Sequence, residues 1–144
     1  MGKVLIVYAT RSEETTGIAN LIAEGIRISG HEAEVKKTAD IKSEGDLKGY
    51  DGYMFGSPTY HGEMITGMKQ MLFMAERAEL DGKPGGAFGA YGWSGEAPGR
   101  IFDTMAHIYG MKMVPSGPLM LKASWVQGGI QAAQEYGKDL AAML

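Results

Sequence analysis

The chain has no cysteine in its 144 residues, so disulfides, thiolate metal sites and thiol nucleophiles are all excluded. Histidine is almost as scarce. His31, His61 and His107 stand far apart without an H-E-x-x-H pair, and no metal site is expected. No apolar run approaches the roughly 18 residues of a membrane-spanning helix, so a soluble protein is expected. There is no basic excess either: 14 Lys and Arg against 17 Asp and Glu give a formal net charge of −3. That balance argues against general nucleic-acid binding and leaves room for docking onto a basic partner surface. Residues 1–8 are too short for a signal peptide and lack a small-residue cleavage site. Gly2 does not make a myristoylation signal, because Ile6 stands where that motif needs Ser or Thr. A cytoplasmic location is the expectation.

What is present reads as one globular domain over residues 1–144, large enough to bury roughly 68–70% of the surface of its unfolded chain. Residues 3–8 form a continuous, β-branched apolar run, the pattern of a strand covered on both faces. Ile18, Leu21, Ile22 and Ile26 then recur at helical spacing until Gly30. Residues 33–37 predict a short strand, and residues 40–49 a loop with a weak helix. Residues 53–55 predict a third strand, closed by Gly56-Ser57-Pro58. Met64, Met68, Met71 and Ala75 form a stripe on a third helix, read as core packing. A glycine-rich strand follows at 86–90, then a helix marked by Ile101, Met105 and Ile108. Residues 113–121, interrupted by Pro115 and Pro118, suit an edge strand. Ile130, Ala133, Gly137, Leu140 and Leu144 mark a final helix. Repeated strand–helix alternation implies an α/β fold with a parallel sheet covered on both faces.

Ligands in such sheets sit beyond the carboxyl ends of the strands, where the strand order reverses. Three loops fall there. The first is Thr10-Arg11-Ser12-Glu13-Glu14-Thr15-Thr16, whose hydroxyls precede and enter a helix. The amides of a helix N-terminus are unpaired and its dipole favours negative charge, so this is an anion site by type. Ordinary capping by Ser12 or Thr15 is the simpler alternative. The loop matches neither G-x-G-x-x-G nor G-x-x-x-x-G-K-[ST], which removes support for dinucleotide and nucleoside triphosphate binding. The other two loops are Ser57-Pro58-Thr59-Tyr60-His61-Gly62-Glu63 and Ala90-Tyr91-Gly92-Trp93-Ser94-Gly95-Glu96. Each carries a large aromatic beside glycine just past a buried strand. Local packing would explain either aromatic singly; together they suit the two sides of a flat ring.

Over its whole length the chain resembles a short-chain flavodoxin. Ile6, Val7, Tyr8, Thr10, Ser12, Thr15 and Ala19 match that family's phosphate signature. The stretches Gly56-Ser57-Pro58-Thr59-Tyr60 and Tyr91-Gly92-Trp93-Ser94-Gly95-Glu96 are also similar to the flavodoxin domain of flavo-diiron proteins. The resemblance implies a three-layer sandwich around a five-stranded parallel sheet of order 2-1-3-4-5, with FMN at the switch point. Flavodoxin is the type example of that arrangement.

The resemblance further implies that Thr10, Ser12, Thr15 and neighbouring amides, including those around Arg11, Glu13 and Glu14, hold the FMN phosphate. Residues 57–62 would edge one side of the ring with Tyr60 stacking, and residues 91–95 the other with Trp93 stacking. Glu63 and Glu96, unless merely solvated loop charges, would disfavour an anionic reduced ring and lower its potential. Two positions depart from the family pattern. Glu13 replaces a small residue and, with Glu14, brings carboxylates to a phosphate loop, which weakens the site unless both point to solvent and Arg11 compensates. His61 stands where many members have the glycine whose peptide turns toward the reduced ring, implying a less stabilised one-electron-reduced state.

The function so implied is a monomeric electron carrier that docks transiently on redox proteins and has no catalytic residues of its own. An FMN-dependent NAD(P)H:quinone-type reductase is the alternative from another class, and a flavin-free interaction module a third. A hydrolase has no support, since Ser94 does not sit in G-x-S-x-G. Trp125, beyond the last strand, is expected to cover the sheet edge.

Overall fold

The computed structural model describes residues 1–9, 13–60, 63–90, 96–122 and 128–144, excluding the side chains of Glu13 and Tyr60. Its parallel sheet runs β2 (Glu32–Lys37), β1 (Lys3–Tyr8), β3 (Gly52–Gly56), β6 (Pro84–Ala90), with β7 (Lys112–Met113) and β8 (Leu119–Leu121) both on the outer side of β6. A separate antiparallel pair, β4 (Thr59–Tyr60) and β5 (Glu63–Met64), lies in the connection after β3. Four helices complete the described residues: α1 (Glu13–Ile28), α2 (Thr66–Glu76), α3 (Glu96–His107) and α4 (Gly129–Ala141).

The period-two alternation of the strands builds the three layers. Leu5, Val7, Tyr53 and Phe55 face one side and pack with Met68, Met71, Ile101 and Met105 of α2 and α3. Val4, Ile6, Tyr8, Met54 and Phe88 face the other and pack with Ile18, Ile22 and Ile26 of α1 and Ala133 and Leu140 of α4. Burial of each of those three isoleucines stabilises the fold by about 1.5–3 kcal/mol. On that second face the helices touch backbone to backbone. A Cβ on Gly25 would stand 2.0 Å from the Gln134 carbonyl oxygen, and one on Gly137 would stand 2.2 Å from that of Ile22. The end of α1 is a Schellman turn: Gly30 has φ of +89°, its N–H reaches Arg27 O at 3.0 Å, and the His31 N–H reaches Ile26 O at 3.3 Å.

Several elements differ from the sequence reading. The weak helix at 40–49 is instead two 3-10 turns, Thr38–Asp40 and Glu44–Leu47. In the second, the Asp46 carboxylate accepts the N–H groups of Lys42 at 2.8 Å and Ser43 at 3.3 Å, tightening the chain before a helix can propagate. The fifth strand is two short pieces, because the chain leaves the ladder after Val114 and passes Gly117 at φ +81°. Met64 lies in β5 rather than on α2. Ile108 and Ile130, read as helix markers, are 63% and 53% exposed, and Ile108 falls just past the end of α3. Trp125 lies outside the described residues. No helix among the described residues is long and apolar enough to cross a membrane.

Candidate functional site

The strand order reverses between β1 and β3: from β1 the chain crosses to β2 on one side and then to β3 on the other. The crevice beyond Tyr8 and Gly56 is therefore the switch point. The strand ends there are closely set. Ala9 N–H reaches Gly56 O at 2.9 Å and Ser57 N–H reaches Phe88 O at 3.0 Å, which carries the ladder one step past the strands. Only glycine fits beside them: a Cβ on Gly56 would lie 2.3 Å from the Phe88 ring, and one on Gly89 would lie 2.1 Å from Ser57 O.

Helix α1 opens on this crevice. Its first amides have no intrahelical acceptor, as at any helix start. In its first turn Thr15 is fully buried, yet its hydroxyl has no hydrogen-bond partner among the described residues. A buried, unpartnered hydroxyl costs about 1–3 kcal/mol, so its place at a helix N-terminus suits an anion that it can bond. Glu14 is half-buried. Thr10, Arg11 and Ser12 and the side chain of Glu13 lie outside the described residues, and with them the effect of Glu13 on the phosphate.

Two other hydroxyls near the crevice, those of Ser57 and Thr59, are already engaged. Ser57, also fully buried, accepts the Ile65 N–H at 3.0 Å and donates to Pro58 O at 2.9 Å. Pro58 is buried beside it. Thr59 Oγ1 accepts the Ala97 N–H at 2.9 Å, so it holds the first turn of α3. The β4–β5 pairing, Thr59 with Met64 and Tyr60 with Glu63, leaves His61 and Gly62 as the two connecting positions. His61, Gly62, Tyr91, Gly92, Trp93, Ser94 and Gly95 lie outside the described residues, as does the Tyr60 side chain.

Sequence alone reads Glu63 either as a charge that disfavours the reduced ring or as a solvated loop charge; the structure gives it partners. Its carboxylate stands 3.3 Å from Lys69 Nζ and 3.9 Å from Arg100 Nη1. The hydrogen bond from Lys69, above all, holds the Glu63 carboxyl below the usual carboxylate range. Glu63 is thus tied to one cation of α2 and one of α3. Lys69, Arg100, Ile65 and Ala97 are absent from the sequence reading of the site. Their roles depend on contacts between elements, for which local spacing gives no signal.

Among the described residues no cluster of His, Cys, Asp and Glu could hold a metal ion. The fold, the switch-point crevice and the unpartnered hydroxyl at the head of α1 all point one way, and the family model for Flavodoxin matches residues 6–137. The chain belongs to the flavodoxin family. An archaeal flavodoxin structure superposes with a TM-score of 0.90 at 30% identity, covering 98% of this chain and 97% of that one. The flavodoxin of Aquifex aeolicus is 38% identical over 100 residues, 66% of this chain and 54% of its own. The type A flavoprotein fprA of Rhodobacter capsulatus is 30% identical over 148 residues, 96% of this chain but 32% of its own. The chain thus spans between 17% and 54% of the length of such curated relatives. The cofactor of this flavodoxin is FMN, and Thr15 at the start of α1 fits its phosphate.

Proposed function

We propose that the chain is a cytoplasmic electron carrier, which passes electrons between redox proteins through FMN and catalyses no substrate reaction of its own. The observation that carries this reading is the buried Thr15 hydroxyl without a partner, at the N-terminus of α1 and at the switch point of a flavodoxin fold. Bound FMN supplies the redox chemistry, taking up and releasing electrons at its ring. The chain's part is to bind, orient and tune. Thr10, Ser12 and Thr15 with the first amides of α1 hold the phosphate, and Tyr60 and Trp93 flank the ring. Ser57 and Ile65 fix the base of the β4–β5 hairpin. Lys69 and Arg100 offset the charge of Glu63 beside it. The formal charge of −3 suits transient docking on basic partner surfaces.

The test begins with an absorbance spectrum of the purified protein before and after incubation with FMN and desalting. Retained flavin absorbance is expected, together with reduction by an added flavodoxin reductase and reoxidation by an electron-accepting protein. Steady oxidation of NAD(P)H with a quinone in the absence of any reductase would overturn the carrier reading in favour of an enzyme. Failure to retain FMN would remove the basis of both.

A further inference from the structure

The first turn of α3 is held from another part of the chain. Pro98 in that turn has no N–H, and the Ala97 N–H is taken at 2.9 Å by the hydroxyl of Thr59, 38 residues earlier. Thr59 stands in β4, on the hairpin whose other strand carries Glu63. Glu63 adds a second tie to α3 through Arg100 at 3.9 Å and one to α2 through Lys69 at 3.3 Å. The Ile65 N–H held by Ser57 anchors the hairpin at its base. The tie lies next in sequence to both segments proposed to flank the flavin ring: Tyr60 follows Thr59, and residues 91–95 precede Glu96.

Resting on the FMN reading above, we propose that Thr59 is a positioning residue. By capping α3 from the hairpin, its hydroxyl fixes the start of α3 against β4 and so tunes the flavin bound beside them. Threonine suits the task for two reasons. Its hydroxyl is an acceptor of the kind that helix N-termini select, and its β-branch restricts χ1 so that the oxygen stays aimed at the amide. Valine keeps the shape and removes the acceptor. Serine keeps the acceptor and loses the methyl.

The experiment compares wild type, Thr59→Val, Thr59→Ala and Thr59→Ser, each checked for folding by circular dichroism. Three quantities are read: the FMN dissociation constant, the residual fluorescence of the bound flavin at saturation, and its midpoint potential. For whichever of the Val and Ala variants is folded, affinity is expected to fall about tenfold, the size of a lost cap bond. Bound-flavin fluorescence should rise and the potential should shift, with Thr59→Ser within about twofold of wild type. The proposal is overturned if the acceptor-free variants keep wild-type fluorescence and potential at saturating FMN, since a purely structural cap would lower stability alone. It is also overturned if Thr59→Ser behaves like Thr59→Val. A wild type that takes no FMN would instead remove the cofactor reading, and this proposal with it.

Discussion

The middle of the sheet and its carboxyl end treat their buried polar groups differently. In the middle each one is matched. The Tyr136 hydroxyl, deep under α4, accepts the Ala87 N–H at 3.1 Å and donates toward Gly117 O at 2.7 Å, with Ala87 O at 3.0 Å. Burial pushes that phenol well above its ordinary range, so it remains a neutral donor at any physiological pH. The hydroxyls of Tyr53 and Tyr109 likewise bond Leu47 O and Leu72 O. At the carboxyl end Ser57 is matched in the same way, but the equally buried hydroxyl of Thr15 has nothing to bond among the described residues. A folded chain gains nothing from an unpartnered buried hydroxyl, which is the ground on which Thr15 is proposed to bind the phosphate.

This contrast can be broken from either side. The largest effect is expected at Gly25, where a side chain would drive α1 off α4: Gly25→Val should lower stability by about 3–5 kcal/mol in urea denaturation. Next comes Tyr136→Phe, which strands the Ala87 N–H and should cost about 1–3 kcal/mol while leaving FMN affinity nearly unchanged. Thr15→Val carries the opposite sign. Replacing an unpartnered hydroxyl by a methyl should raise the stability of the FMN-free protein by about 1 kcal/mol, yet weaken FMN binding about tenfold by fluorescence titration.

The smallest effect lies at the amino end of the sheet, at Glu34. The Tyr50 hydroxyl first, then Lys3 at 3.1 Å, hold its carboxyl below the ordinary value of 4.5. A carboxyl with a lowered folded-state pKa contributes stability that is present above the unfolded value and lost as pH falls through the folded one. Because the side chain is 40% exposed, that contribution should be under about 1 kcal/mol. Glu34→Gln should therefore separate slightly from wild type at neutral pH and converge with it in acid.

How much of this was legible in sequence follows from the same physics. Strand β1 and helix α1 were plain because their apolar periods are long and uninterrupted, and Gly30 ends α1 as its position implied. The methionine stripe of α2 was read correctly at Met68 and Met71, both fully buried. The β4–β5 hairpin escaped notice because two-residue strands carry no period. The prolines at 115 and 118 signalled an interrupted edge, but not that both fragments would pair with β6. At the site, the sequence pattern set Thr15 at the start of an amphipathic helix, and it lies in the first turn of α1. The bond from the Ala97 N–H to Thr59 joins residues 38 apart, which spacing cannot encode. The partners of Glu63 were hidden for the same reason, since its two cations arrive from α2 and α3.

The most direct test of the account is a fluorescence titration of the wild-type protein with FMN and, in parallel, with riboflavin, which has the same ring but no phosphate. One equivalent of FMN should bind with its emission quenched, and at least about tenfold more tightly than riboflavin, because the phosphate meets Thr15 and the head of α1. Equal affinity for the two, or FMN emission unchanged by the protein, would contradict it.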